Sequence, residues 1–204
     1  MREILEGIYT WPWFSERHGY NFNGYLLTWE HGNICIDPVE PDAATLDEIA
    51  RLGAARIVLT NRNHVRAANT VRSRTKALTA IHRLDAEHAR NQGAELDAVL
   101  RAGERVGALV AIAVPGKSPG ELALHWPERR LLIVGDAIIG NPPGRCSLLP
   151  ERVMDDPPQL RASLRQLMAV DFDVLLVGDG VPILDGARER LRELIDSWGK
   201  EHDK

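Results

Sequence analysis

The stretch Val114-Pro115-Gly116-Lys117-Ser118-Pro119-Gly120 joins two apolar segments, 108–114 and 121–126, which both have the composition of β-strands. Its prolines and glycines predict a stiff loop. Three other strand-like segments also end in short polar clusters, at residues 59–64, 133–137 and 176–180. Because α/β proteins build sites where strands end, we expect these four loops to form the functional site.

Strand-like and helix-like segments alternate along the whole chain. Strands are predicted at residues 22–29, 33–37, 56–60 and 76–81, and again at 108–114, 121–126, 130–134 and 174–177. Helices are expected after the capping residue Asp42, at 65–73, at 85–91, after Asp156-Pro157, and along a last apolar stripe from Ile183 to Trp198. Hairpins mixed with helices favour layered sheets covered by helices, as one domain over residues 1–204.

The composition excludes several classes of protein. With 44% apolar and 26% charged residues, the chain of 204 residues is neither disordered nor of low complexity. A net charge of −4 argues against a general nucleic-acid-binding surface. The longest apolar run, 108–114, is far shorter than the ~20 residues that span a bilayer, so no membrane association is expected. Two cysteines, Cys35 and Cys146, form no disulfide framework, and we expect a cytoplasmic protein.

The order and spacing of these motifs resemble the metallo-β-lactamase superfamily of metal-dependent hydrolases. The resemblance covers nearly the whole chain. It rests on Asn23-Gly24-Tyr25-Leu26-Leu27, Ile36-Asp37-Pro38, the strand end at Thr60, the 115–120 loop, Gly135-Asp136 and the Gly178-Asp179-Gly180 turn. It implies a four-layer αββα sandwich, with two mixed sheets, helices on the outer faces and a site at one edge of the sheets.

The metal-binding motifs of that family are altered here. The family's first loop reads Thr-His-x-His-x-Asp-His, and an ungapped match puts Asn61, Asn63, Val65 and Arg66 on the His, His, Asp and His positions. Lys117 replaces the histidine of the second loop, and Asp179 replaces the late histidine. Only Asp136, which resembles the carboxylate that bridges two metals, is retained. Amides and cations are poor zinc ligands, so the sequence argues against a dinuclear zinc site.

A second register leaves room for a smaller metal site. If the first loop is two residues shorter than in the family, Asn63-His64 falls on the Asp-His pair. His64, Asp136 and Asp179 could then hold at most one divalent ion, of zinc, iron or manganese. The alternative is that no metal binds, because the Lys117 ammonium could neutralise Asp136 without an ion.

The same loops suggest an anionic ligand. If Arg62 and Arg66 converge with Lys117, the floor of the pocket is cationic and favours a phosphate or carboxylate. The predicted ligand-binding residues are Asn61, Arg62, Asn63, Arg66 and Asp179. We read residues 11–18, which include Trp11, Trp13 and Phe14, as an aromatic loop at a pocket lip or a subunit interface, which leaves a homodimer open.

Two functions remain open from the sequence. The first is a divergent hydrolase in which His64 and Asp136 are catalytic, with Asp179 as a further ligand of the metal, and Lys117 stabilises developing negative charge. The second is a non-catalytic ligand-binding protein in which ion pairs between Lys117 or Arg66 and Asp136 or Asp179 replace the metals. A third and vaguer alternative is an oligomeric scaffold that uses the N-terminal aromatic residues.

Overall fold

The computed structural model describes residues 1–200 and contains two β-sheets. The first sheet has seven strands in chain order, antiparallel from β1 to β4 and parallel from β4 to β7. These strands are β1 (Arg2–Leu5), β2 (Ile8–Ser15), β3 (Tyr20–Leu27), β4 (Ile34–Ile36), β5 (Arg56–Leu59), β6 (Leu78–His82) and β7 (Ala98–Leu100).

The second sheet has five strands in the order β12-β11-β10-β9-β8. Only β11 and β12 run parallel, so this sheet is mixed as well. Its strands are β8 (Arg105–Val106), β9 (Leu109–Ala113), β10 (Leu122–Trp126), β11 (Leu131–Val134) and β12 (Val174–Val177). The predicted mixed sheets and the predicted β10–β11 hairpin are thus confirmed.

Helices cover the outer faces of both sheets. Asp42 caps the first helix by accepting a hydrogen bond from the Thr45 amide at 2.7 Å, and Gly53 ends it with a positive φ of 75°. Asp156 caps the fourth helix by accepting from the Gln159 amide at 2.9 Å. The helices are α1 (Ala43–Leu52), α2 (Ala68–Thr75), α3 (Ala86–Asn91), α4 (Pro157–Leu167) and α5 (Ala187–Lys200).

The alternation of side chains along the strands creates the four layers. In β3, Tyr25 and Leu27 point between the sheets, whereas Leu26 packs on the side of α1 and α2. In β11, Ile133 packs between the sheets and Leu132 packs towards α4 and α5. Because each central strand is apolar on both faces, the order is helix, sheet, sheet, helix, and the predicted αββα sandwich is confirmed.

Three details of the prediction were wrong. The N-terminal aromatic segment is not a loop, because Trp11, Trp13 and Phe14 belong to strand β2, which pairs with β3 along its full length. The last helix begins at Ala187, and Ile183 instead forms an isolated bridge with Leu175. The short edge strands β1, β7 and β8 were not predicted. Within residues 1–200, no helix combines the length and apolar composition needed to cross a membrane.

Candidate functional site

The candidate site lies where several strands of both sheets end. Asp37 follows β4, the loop from Thr60 to His64 follows β5, Asp136 lies two residues beyond β11, and Asp179 lies two residues beyond β12. Because β4 runs parallel to β5 and β11 runs parallel to β12, these ends meet at one edge of the sandwich. A Cβ atom at Gly135 would lie only 2.2 Å from Thr60 Oγ1, so glycine is needed for this approach of the two sheets.

His64 is the centre of the site. Its ring is fully buried between two carboxylates, with Nδ1 2.9 Å from Asp37 Oδ2 and Nε2 3.0 Å from Asp136 Oδ1. Burial and the nearby Arg66 charge both lower its pKa, but the charges of the two carboxylates outweigh them and raise the pKa of His64 to about 10. Nε2 donates a hydrogen bond to Asp136, Nδ1 lies 3.2 Å from the Thr60 hydroxyl oxygen, and the raised pKa favours a ring that is protonated on both nitrogens at neutral pH.

Asp136 has cations on both of its oxygens. His64 contacts Oδ1, and Lys117 Nζ lies 3.0 Å from Oδ2. Burial by itself would raise the pKa of Asp136, but the charges of His64 and Lys117 and the His64 hydrogen bond lower it far below its usual value. The Lys117 side chain is 5% exposed, so this ion pair is closed off from solvent.

Arg66 and Asp179 form a looser pair next to this centre. Arg66 NH2 lies 3.5 Å from Asp179 Oδ1, and the guanidinium carbon stacks 4.4 Å from the centre of the Phe22 ring. Burial, and the charge of Asp136 in second place, raise the pKa of Asp179 to about 6. Arg66 has a left-handed backbone, with φ of 29°, which is uncommon for a side chain of this size and is typical of functional loops.

The remaining predicted ligand-binding residues do not all reach the centre. Asn61 is buried, with Nδ2 3.4 Å from His64 Nε2 and 3.3 Å from Glu121 Oε1. Asn63 is exposed, and its amide donates to Asn61 Oδ1. Arg62 turns away to pair with Asp155 at 2.5 Å and does not converge with Lys117. The expected convergence of Arg62 and Arg66 with Lys117 is therefore wrong for Arg62, and Lys117 and Arg66 each lie next to a carboxylate.

Three buried acids were not among the candidates from the sequence. Asp37 accepts from the Thr60 amide and hydroxyl and holds His64. Glu121 accepts from the Asp136 amide at 2.8 Å, and burial followed by the charge of Asp136 raises its pKa to about 8. Asp85 ties two loops together by accepting from the Arg62 amide, the Ser118 hydroxyl and the Gly120 amide.

One signal in the sequence could have identified two of these acids. Asp37 directly follows the apolar strand β4, and Glu121 directly precedes the apolar strand β10. Both carboxylates are buried with these strands, and a buried carboxylate needs a partner, which marks it as a candidate for a site. Asp85 lies outside those motifs, before the short helix α3, and carries no such signal.

The side chains at this site are not suited to bind the metal ions that the fold implies. The reactive atoms of His64, Asp136 and Asp179 do lie within 4.8 Å of one another. However, a metal ligand must offer a lone pair, and His64 Nε2, the ring nitrogen that faces Asp136, donates a hydrogen bond to that carboxylate. Lys117 and Arg66 add two fixed positive charges at Asp136 and Asp179, where a cation would have to bind. The places that a metal ion would occupy beside Asp136 and Asp179 thus already hold protein cations.

Comparison with known proteins agrees with this architecture. A profile of the family described as "Metallo-beta-lactamase superfamily" matches residues 4–198. The solved structure of TTHA1623 in a di-iron-bound form is 25% identical, with a TM-score of 0.70 over 89% of this chain and 98% of that one. No curated protein sequence matched the chain.

Two further solved structures share the fold at lower identity. A metallo-beta-lactamase family protein from Thermus thermophilus, TTHA1429, is 21% identical, with a TM-score of 0.71 over 97% of this chain and 81% of that one. A metallo-beta-lactamase from Pontibacter korlensis is 14% identical, with a TM-score of 0.79 over 96% of each chain. The sandwich, the site at its edge and the profile match over nearly all of the sequence lead to one conclusion: this chain belongs to the metallo-β-lactamase superfamily.

Proposed function

We propose that this chain is a metal-independent, non-catalytic ligand-binding member of the superfamily, in which ion pairs take the place of the metal ions. The observation that carries this proposal is His64, whose two ring nitrogens each contact a carboxylate. An imidazolium in this position supplies positive charge between the carboxylates, as a metal ion would, and has no lone pair to give.

The charge balance of the site supports the proposal. Three cationic side chains face three carboxylates: His64, Lys117 and Arg66 against Asp37, Asp136 and Asp179. A buried carboxylate is costly unless it has partners, and here each one has a cation within 3.5 Å. The loops can therefore stay folded without an ion.

The hydroxyl groups near the site also argue against a metal-free hydrolase. Ser118 is fully buried, and its hydroxyl donates to Asp85 at 2.5 Å. Thr60 is equally buried, and its hydroxyl donates to Asp37 at 2.5 Å. A nucleophile must reach the substrate and pass its proton to a base. Both hydroxyls are enclosed, and the adjacent His64 already carries its second proton.

The ligand proposed is a small molecule with an anionic group. Arg66 is the site cation that reaches the surface, with 18% of its side chain exposed, against 5% for Lys117 and none for His64. A guanidinium in this position binds carboxylates and phosphates by charge-assisted hydrogen bonds. The cytoplasmic location expected from the sequence belongs to this proposal, with both cysteines buried as free thiols.

A one-metal hydrolase is the second candidate, and one specific observation favours it. The three potential ligands, His64, Asp136 and Asp179, converge within 4.8 Å, and the 25%-identical TTHA1623 is described in a di-iron-bound form. For an ion to bind here, His64 must lose a proton, and Lys117 and Arg66 must leave their carboxylates.

Thermal unfolding separates the two candidates. Protein stripped with a chelator should keep the melting temperature of untreated protein, and added zinc, iron(II) or manganese should not raise it, because only a ligand of the folded state stabilises that state. Phosphate or small carboxylates should raise it in the native chain but not in Arg66→Gln. A metal-dependent rise that His64→Gln abolishes would support the hydrolase instead, and a flat response to every anion would remove the binding function.

A further inference from the structure

Asp179 and Arg66 each carry a polar atom without a hydrogen bond. Asp179 is 4% exposed, and its Oδ1 has no hydrogen-bond partner within residues 1–200. The nearest cationic atom, Arg66 NH2, lies 3.5 Å away, beyond the usual N–H···O range. Arg66 NH1 is also buried, and no acceptor among the described residues contacts it. Among the described residues, Asp179 Oδ1 is thus an acceptor without a donor, and the neighbouring Arg66 carries a donor, NH1, without an acceptor.

A row of aromatic side chains leads from the surface to this pair. We call Trp13, His18, Tyr20 and Phe22 the aromatic shelf. The Phe22 ring lies 5.7 Å from Trp13 and 5.3 Å from His18, and Arg66 stacks on Phe22. The His18 and Tyr20 rings are 5.9 Å apart. Trp13 is 44% exposed, so the outer end of the shelf is open to solvent.

The shelf and Arg66 belong to the first sheet and its loops, Asp179 follows a strand of the second sheet, and β3 joins the two. The Asn23 amide donates to Gly178 O at 2.8 Å, and the Gly180 amide donates to Asn21 O at 2.8 Å. Asn23 Nδ2 also donates to Gly180 O at 2.9 Å. The turn that carries Asp179 is therefore fixed to the strand that carries Tyr20 and Phe22, and the two parts form one surface.

We propose that Arg66 and Asp179 together bind the two charges of a zwitterion of the α-amino acid type, whose apolar side chain lies on the aromatic shelf. This inference rests on the proposed function and names its ligand class. The ligand carboxylate pairs with the Arg66 guanidinium and the ligand ammonium pairs with Asp179, so both residues exchange their loose 3.5 Å contact for charge-assisted hydrogen bonds. An ammonium beside aromatic faces also gains cation–π attraction.

A simple anion fits the same place less well. Phosphate or acetate would satisfy Arg66 but would place negative charge beside Asp179, where like charges repel. A simple amine would satisfy Asp179 but would place a positive charge beside Arg66, where like charges again repel. Only a ligand with both charges on neighbouring atoms leaves neither residue unpaired, which is the basis for selectivity at this site.

The test compares L-phenylalanine with analogues that each lack one feature, by calorimetry on the full chain. We expect L-phenylalanine to bind. We expect 3-phenylpropionate, 2-phenylethylamine and glycine, which lack the ammonium, the carboxylate and the side chain, to bind about tenfold or more weakly, the loss expected for one missing charged contact. Arg66→Gln and Asp179→Asn should each weaken L-phenylalanine binding by a similar factor.

Trp13→Ala provides a further test if Arg66→Gln and Asp179→Asn do not fold. Because Trp13 is exposed, this variant should fold, and it should bind L-phenylalanine more weakly while its binding of glycine stays the same. Equal binding of 3-phenylpropionate and L-phenylalanine, both dependent on Arg66, would overturn the zwitterion inference and leave the anion-binding function standing. Absence of binding by L-phenylalanine and every analogue up to ~10 mM, weaker than about −3 kcal/mol, would overturn both.

Discussion

Lys117 Nζ lies 3.0 Å from Asp136 Oδ2, and the two side chains are only 5% and 8% exposed. The other oxygen of Asp136, Oδ1, lies 3.0 Å from His64 Nε2, so the carboxylate has two protein cations as partners. In the proposed ion-pair site, these two side chains, and not a metal ion, balance the charge of the aspartate. The stability of the folded protein should therefore depend on Lys117.

Replacing Lys117 by methionine should therefore destabilise the protein strongly. The substitution keeps an unbranched side chain as far as the ε-carbon but removes the ammonium, and so leaves the buried Asp136 carboxylate with one cation. Breaking a buried pair in this way costs about 3–5 kcal/mol. We expect a loss of that size in the free energy of unfolding, measured by urea denaturation.

Lys76→Met is the matched control. Lys76 is exposed at the end of α2 and donates only to the Ser73 carbonyl, so its replacement should change the free energy of unfolding by ~0.5 kcal/mol or less. Equal effects of the two substitutions would show that the Lys117–Asp136 pair does not stabilise the site.

The protonation state of His64 gives a second prediction. With its pKa raised to about 10, the ring should carry a proton on both nitrogens at neutral pH, which ¹⁵N NMR distinguishes from a neutral ring. Asp37→Asn removes one of the two carboxylates that hold the proton and should lower this pKa. Asp47→Asn removes an exposed acid of α1 and should leave it unchanged. A neutral His64 ring in the native protein at pH 7 would contradict the ion-pair site.

Most helices and strands could be predicted because their signals are local, whereas the four-layer sandwich was inferred from the resemblance to the superfamily. Asp42 and Gly53 mark the two ends of α1, and Asp156-Pro157 marks the start of α4, through caps that depend on neighbouring residues alone. The N-terminal strand was missed because Pro12 and adjacent aromatic residues interrupt the alternating pattern. Pro12 is tolerated because β1 pairs with β2 only as far as Thr10, so at Pro12 only β3 lies alongside, which a local pattern cannot foresee.

The site was harder to predict than the fold, since its contacts join distant parts of the chain. Lys117, Asp136 and Asp179 could be placed at strand ends, which indicates proximity. Nothing local indicates that Arg62 pairs with Asp155 and that Arg66 turns to Asp179 instead. The direction of each arginine depends on the backbone of the loop, including the left-handed conformation at Arg66.

Glu121 should make the stability of the protein depend on pH. Its pKa in the folded protein is raised to about 8 from a usual value of 4.5. A group with a raised folded pKa contributes stability that is fully present below its unfolded pKa and is lost as the pH rises through the folded pKa. The pKa of His64 is also raised, from 6.5 to about 10, so its contribution to the stability changes with pH in the same direction. The free energy of unfolding should therefore fall between about pH 4.5 and 10.

Glu121→Gln tests this assignment, because glutamine resembles the neutral acid and keeps an acceptor for the Asp136 amide. The variant should lose the Glu121 contribution between about pH 4.5 and 8. It should keep the contribution of Asp179 between pH 3.8 and about 6 and that of His64 between pH 6.5 and about 10. Glu87→Gln, at an exposed position of α3, should leave the whole profile unchanged. An unaltered slope in Glu121→Gln would mean that Glu121 does not titrate in this range.

Two tryptophans of β2 should differ sharply in what they contribute. Trp11 is 3% exposed, donates from Nε1 to Val39 O at 2.9 Å and packs on Gly24, where an added Cβ would lie 2.7 Å from its ring. Trp11→Ala removes this packing and leaves a cavity, at a cost of about 3–5 kcal/mol. Trp13 lies on the same face of the strand but is 44% exposed, so Trp13→Ala should cost roughly 1 kcal/mol. Both substitutions replace the same residue type in one strand, so the difference measures burial together with the buried Nε1 hydrogen bond of Trp11. Urea denaturation of the pair checks it, and similar losses would mean that the outer end of the aromatic shelf is as firmly packed as the core.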